Sequence, residues 1–152
     1  TAAFAAASPE YAKRLFNCGI AEQNMVDVAA GLALTGHVAF TGSFAVFGTG
    51  RAYDQIRNTV CYSNLDVKIA PTHAGISVGP DGGSHQMLED VSLMRGLPNM
   101  RVLVPADYAA ARAAHAHFTE RTGAFELMPF VTDAVKQETM NHIRIFGSEG
   151  RA

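Results

Sequence analysis

Three groups of side chains in this sequence have the types and spacing to do chemistry: Glu22, the aromatic pair Phe44 and Phe47, and the trio His73, Asp81 and His85. Glu22 follows the turn Cys18-Gly19-Ile20, and its neighbours Ala21, Met25, Val26 and Ala29 are mostly apolar. A carboxyl so placed is partly desolvated, which raises its pKa, while a helix N-terminus acts in the opposite sense. It reads either as a tuned acid–base group or as a first-turn acid that complements the helix dipole. Phe44 and Phe47 sit three apart in Gly42-Ser43-Phe44-Ala45-Val46-Phe47-Gly48, either as a platform for a flat heterocycle or as packing beneath a loop. His73, Asp81 and His85 lie in the glycine-rich stretch from Thr72 to His85. They could move protons or donate hydrogen bonds to a polyhydroxylated anionic substrate. Their spacing matches no closed metal site, Asp81-Gly82 is also a common turn pair, and Ser84 could cap a following helix.

These residues need a scaffold, and the hydrophobic periods describe one. Arg14 to Cys18, Val38 to Thr41, Val67 to Ala70 and Arg101 to Val104 are short apolar runs bounded by turn residues and read as strands. Glu22 to Leu34, Arg51 to Tyr62, Gln86 to Arg95 and Tyr108 to Glu120 repeat their apolar residues at three and four, the helical period. Such alternation predicts an α/β fold, an open and mostly parallel sheet with helices on both faces. The two glycine-bearing loops, Gly42 to Gly50 and Thr72 to Ser84, each follow the carboxyl end of an expected strand, the edge where open α/β sheets bind ligands.

The 152 residues, 48% of them hydrophobic, suit one compact domain. We expect it over residues 1–128, with 129–152 as a linker or docking tail. The net charge of −2 is spread without blocks, which argues against nucleic acid or an anionic membrane as partner. No apolar run approaches the roughly 20 residues that span a bilayer. Cys18 and Cys61 form no disulfide or zinc pattern, and a reducing, cytoplasmic setting is expected.

Taken together, four strings resemble the pyrimidine-binding domain of transketolases: Phe16-Asn17-Cys18-Gly19-Ile20-Ala21-Glu22-Gln23-Asn24-Met25, Gly42-Ser43-Phe44-Ala45-Val46-Phe47, Arg51-Ala52-Tyr53-Asp54-Gln55-Ile56-Arg57-Asn58, and Thr72-His73 through Asp81-Gly82-Gly83-Ser84-His85-Gln86. The likeness covers about residues 10 to 122 and is closest to the form split into two subunits, as in bacteria and archaea. The resemblance implies that Glu22 bonds N1′ of the aminopyrimidine of thiamine diphosphate and that Phe47, with Phe44 alongside, holds that ring. It implies that His73, Asp81 and His85 meet sugar hydroxyls and phosphate, with Glu22, His73 and His85 in catalytic roles. The implied reaction transfers a two-carbon ketol unit between sugar phosphates. Deoxyxylulose phosphate synthases share the Ala-Glu-Gln and Arg-Ala-Tyr-Asp-Gln strings, but Thr72-His73-Ala74-Gly75 favours transketolase over them.

The family's diphosphate and Mg²⁺ motif is absent from this sequence, so the resemblance implies a diphosphate-binding partner subunit or domain, assembled as a homodimer or a heterotetramer. The apolar face of Glu22 to Leu34 is expected to meet it. Residues 1 to 9 begin where the family's first strand and helix have already passed, an expected truncation at the N-terminal edge. Where the family ends the domain on a strand bearing a phosphate-gripping arginine, this chain has Ala124-Phe125-Glu126-Leu127-Met128-Pro129. A non-catalytic interaction module is therefore the alternative reading.

Overall fold

The computed structural model describes residues 12–120 and 125–127. Four strands, β1 (Ala39–Thr41), β2 (Val67–Ile69), β3 (Arg101–Leu103) and β4 (Phe125–Leu127), form one sheet in the order β1-β2-β4-β3. Every neighbouring pair is parallel, with Ala39 opposite Val67, Lys68 opposite Phe125 and Arg101 opposite Phe125. Parallel neighbours cannot be joined by tight turns, so each connection carries helix. Helix α1 (Glu22–Leu34) precedes β1, a helical stretch over residues 46–62 joins β1 to β2, α3 (Asp90–Arg95) precedes β3, and α4 (Tyr108–Glu120) precedes β4. The open α/β architecture with a parallel sheet is thus the one the sequence implies.

The core sits where the periods place it. Helix α1 buries Val26, Ala29 and Ala30, spaced at three and four, and packs against β1. The middle stretch contributes Ile56 and Val60, and β2 contributes Val67 and Ile69. Burying a side chain such as Ile56 stabilises the fold by about 1.5–3 kcal/mol. Cys61 belongs to the same cluster; burial pushes its thiol up to about 11, so it packs as a small hydrophobe.

Five local expectations need correction. Arg14 to Cys18 joins no strand; Phe16 is exposed, and an apolar run without a neighbour to pair with has no ladder to enter. The first glycine loop is shorter than expected, because the chain turns helical soon after Phe44. That helix, called α2 here (residues 46–62), is not a regular one starting at Arg51. It consists of two wide-turned segments, Val46–Arg51 and Ile56–Tyr62, on either side of the single turn Tyr53–Gln55. Thr49 Oγ1 donates to the Ala45 carbonyl at 2.6 Å, back-bonding that bends a helix, and wide turns of this kind are frequent at functional sites. Finally, α3 starts at Asp90 rather than Gln86, since Met87 is taken up in a bridge to Gly75, and Ser84 bonds His85 instead of capping a helix.

Candidate active site

Both glycine-bearing segments leave the carboxyl edge of the sheet side by side, and backbone hydrogen bonds lock them together. Beyond the paired strands, the Ala45 amide donates to the Thr72 carbonyl at 2.7 Å and the Thr72 amide to the Ser43 carbonyl at 2.9 Å. This bridge, Phe44 to Thr72, sets Phe44 beside His73. A second, antiparallel bridge joins Gly75 to Met87 through amide–carbonyl bonds of 2.6 and 3.1 Å. It closes the long second loop at its base and brings His85 back over the same rings.

The result is an aromatic cluster. The Phe44 and Phe47 rings are nearly parallel, 11° apart with centroids at 6.4 Å. The His73 ring lies 4.2 Å from Phe44, and His85 stands edge-on to Phe47 at 5.1 Å and to Phe44 at 6.1 Å. His73 holds a left-handed backbone with φ of 59°, uncommon for a residue with a side chain, and its Nδ1 meets Thr72 Oγ1 at 2.7 Å. Strained residues of this kind gather at functional sites, where the surroundings enforce them.

Glu22 completes the cluster from the first turn of α1. It is only 8% exposed. Its Oε2 accepts from Arg51 Nη1 at 2.9 Å and its Oε1 from Ser43 Oγ at 3.2 Å. Burial pushes the carboxyl up, but its own backbone amide, the Arg51 guanidinium and the Ser43 hydroxyl outweigh that and hold it below the ordinary value. The sequence sets burial against the helix start alone; in the fold it takes Arg51 and Ser43 as well to favour the carboxylate. Arg51 also reaches the aromatic pair, its guanidinium carbon 4.3 Å from the Phe47 centroid.

Of the residues singled out in the sequence, the structure therefore brings Glu22, Phe44, Phe47, His73 and His85 to one edge. Asp81 is different: it is exposed on the single turn Gly79–Asp81 and takes part in no hydrogen bond or ion pair among the described residues. Two members of the site were missed, Ser43 and Arg51. Arg51 carried a usable signal, since it follows Phe47 by four and such residues are neighbours along a helix. Among the described residues, no group of three His, Cys, Asp or Glu side chains is placed to hold a metal ion, and no helix is long and apolar enough to cross a membrane. The tail at 129–152 and the truncated edge expected at residues 1 to 9 lie outside the described residues.

An open parallel sheet with a buried acid, two parallel phenylalanines and two histidines at its carboxyl edge defines a class, and comparison with known proteins says which. The family described as transketolase, pyrimidine binding domain, matches residues 1–124, and the chain belongs to it. A protein of Methanocaldococcus jannaschii, provisionally described as a transketolase C-terminal section, is 57% identical over 108 residues, 71% of this chain and 33% of the relative. A 6-deoxy-6-sulfo-D-fructose transketolase subunit of a Clostridium species is 39% identical over 128 residues, covering 84% of this chain and 40% of that one. Among solved structures, one described as a split gene transketolase, inactive beta4 tetramer, superposes with a TM-score of 0.69 at 51% identity over 82% of this chain and 38% of its own. The chain thus spans between a third and two fifths of the length of these relatives.

Proposed function

We propose that this chain is the pyrimidine-binding part of a thiamine diphosphate-dependent transketolase, transferring a two-carbon ketol unit between sugar phosphates in company with a diphosphate-binding partner. The observation that carries the reading is the buried Glu22 carboxylate set against the Phe44–Phe47 pair at the carboxyl edge of the sheet. The residues present fit the coenzyme's aminopyrimidine. A flat nitrogen base offers a face to a phenylalanine and a ring nitrogen to a carboxyl group, and the guanidinium of Arg51, itself flat and rich in N–H, already satisfies both residues.

The coenzyme, when bound, supplies the carbanion chemistry that breaks and remakes the carbon–carbon bond. The chain's own residues prepare it. Glu22 holds or yields a proton at its Oε atoms opposite the ring nitrogen, and burial keeps water from competing for that proton. Phe47 and Phe44 fix the plane of the ring, which removes orientational freedom before reaction. His73 and His85, positioned through Nδ1 by Thr72 and Ser84, stand at the rim of the ring site where sugar hydroxyls or phosphate would lie. Asp81, on its exposed turn, meets substrate from the outer side.

Mg²⁺ and the diphosphate fall to the partner. The structural neighbour's description as an inactive tetramer of one kind of subunit supports a requirement for a second kind, in a heterotetramer. The test is reconstitution with a diphosphate-domain subunit, thiamine diphosphate and Mg²⁺. Ketol transfer that needs both chains and vanishes in Glu22→Ala supports the proposal. Partner binding without turnover makes the chain a non-catalytic module, and turnover with pyruvate as donor makes it a deoxyxylulose phosphate synthase.

A further inference from the structure

The position of Arg51 carries one step more, which rests on the reading of Glu22 and Phe47 just given. Its guanidinium makes two contacts at once: Nη1 is 2.9 Å from Glu22 Oε2, and the guanidinium carbon lies 4.3 Å from the centre of the Phe47 ring. A planar group that stacks on Phe47 while donating N–H to Glu22 takes up the contacts an aminopyrimidine needs from the same two residues. The two groups cannot hold them together. The pair is also lopsided, because the Glu22 side chain is 9% exposed and that of Arg51 is 43% exposed. The acid is fixed in the first turn of α1 and fastened by Ser43, whereas the arginine has a path into water.

We propose that Arg51 is a built-in occupant of the pyrimidine subsite, resting on Phe47 and Glu22 until the coenzyme's ring displaces it. The arrangement solves a problem the site would otherwise face. A buried carboxylate without a partner is costly, so an empty subsite would drive Glu22 to take up a proton or the helix turn to rearrange. With Arg51 in place, the carboxyl group is never without a partner: as a carboxylate it accepts from the Arg51 N–H, and when the ring arrives it shares a proton taken from solvent with the ring nitrogen, its geometry ready before binding. Ser43 stays on the other oxygen throughout. The consequence is competition: the ring binds only to the fraction of molecules in which Arg51 has let go, so apparent affinity falls by that fraction.

The test uses the full chain, labelled with ¹³C at glutamate Cδ and in the phenylalanine rings and with ¹⁵N at arginine Nε, and titrated with 4-amino-2-methylpyrimidine as probe. Saturation should shift the Glu22 carboxyl and Phe47 resonances, and should move the Arg51 Nε resonance to the position of a solvent-exposed arginine. Arg51→Ala should bind the probe about tenfold more tightly, the gain expected if the wild-type subsite is self-occupied roughly nine-tenths of the time. Arg51→Lys, which keeps a charge but cannot stack, should fall between, and it serves in place of the alanine variant if that fails to fold. An Arg51 resonance that stays fixed while Glu22 and Phe47 respond overturns the inference and leaves the coenzyme reading intact. Equal or weaker binding by Arg51→Ala does the same, since Arg51 would then be a contact rather than an occupant. A probe that moves neither Glu22 nor Phe47 in any of the three proteins overturns the coenzyme reading, and the inference with it.

Discussion

The sheet has a charged pair at each of its edges, and the two differ in which partner can leave. Beyond the carboxyl ends of the strands, Glu22 is buried and Arg51 is half in water. At the amino end of β2, Lys68 is the buried partner, 1% exposed within the strand, and Asp66 holds it from the residue pair before. Burial acts to strip the Lys68 charge, lowering its pKa against the pull of Asp66. The same acid–base chemistry thus serves two ends. Where the long cationic side chain is enclosed by the sheet, the pair is a fixture of the fold; where the cation can swing outward, the pair can be exchanged for something else.

Substitutions separate the two. Lys68→Ala removes a buried stem together with a charge and should lower the unfolding free energy by about 3–5 kcal/mol, measured by urea denaturation. Lys68→Met, which keeps the buried stem but leaves Asp66 without its cation, should recover only part of that loss. At the other edge the balance is reversed. Glu22→Ala should reduce ketol transfer in the reconstituted enzyme by at least about a hundredfold. It should cost under about 1 kcal/mol of stability, because the orphaned Arg51 finds water. A large stability loss there, or a small one at Lys68, would erase the distinction.

Acidity sharpens the comparison. Glu22 is depressed in the fold, so its contribution is present above the ordinary carboxylate value and is lost as pH falls through the depressed one. The difference in unfolding free energy between wild type and Glu22→Gln should therefore shrink towards the acid limit. Lys68 is also depressed, but as a base: the unfolded chain binds the extra proton, so stability should rise with pH between the lowered value and the ordinary lysine value. That alkaline gain should be missing from Lys68→Met. The smallest effect is expected at Asp90, a buried acid whose Oδ2 meets no partner among the described residues and whose carboxyl burial pushes up. Asp90→Asn should stabilise by under about 1 kcal/mol at neutral pH, read as a raised Tm.

Much of this architecture is legible in the residues because burial and period coincide. Glu22–Leu34 and Tyr108–Glu120 have the bounds their apolar spacing predicts, and the short runs around Val67 and Arg101 are strands because turn residues enclose them. The spacing of Phe44 and Phe47 does place the two rings side by side and nearly parallel. What a period cannot convey is turn width: residues at three and four recur in both regular and wide-turned helix, so the spacing starts a helix only at Arg51 and leaves the segment from Val46 to the loop. Nor does an apolar run announce whether a neighbouring strand exists, which is why Leu15 and Phe16 misled. The partnership of Glu22 with Ser43 and Arg51 spans 21 and 29 positions of chain and is created only when β1 ends where α1 begins in space.

The bridge between Gly75 and Met87 has an evolutionary consequence. Because two backbone bonds close the loop at its foot, residues 76–84 form a stretch whose contents can be rewritten while the sheet, the phenylalanines, His85 and Glu22 stay in register. Ile76, Asp81 and Leu88 already sit on its outer rim or just past it, in open solvent. On the proposed function, a change of substrate preference would then need edits to a short stretch of surface and none to the sheet beneath it.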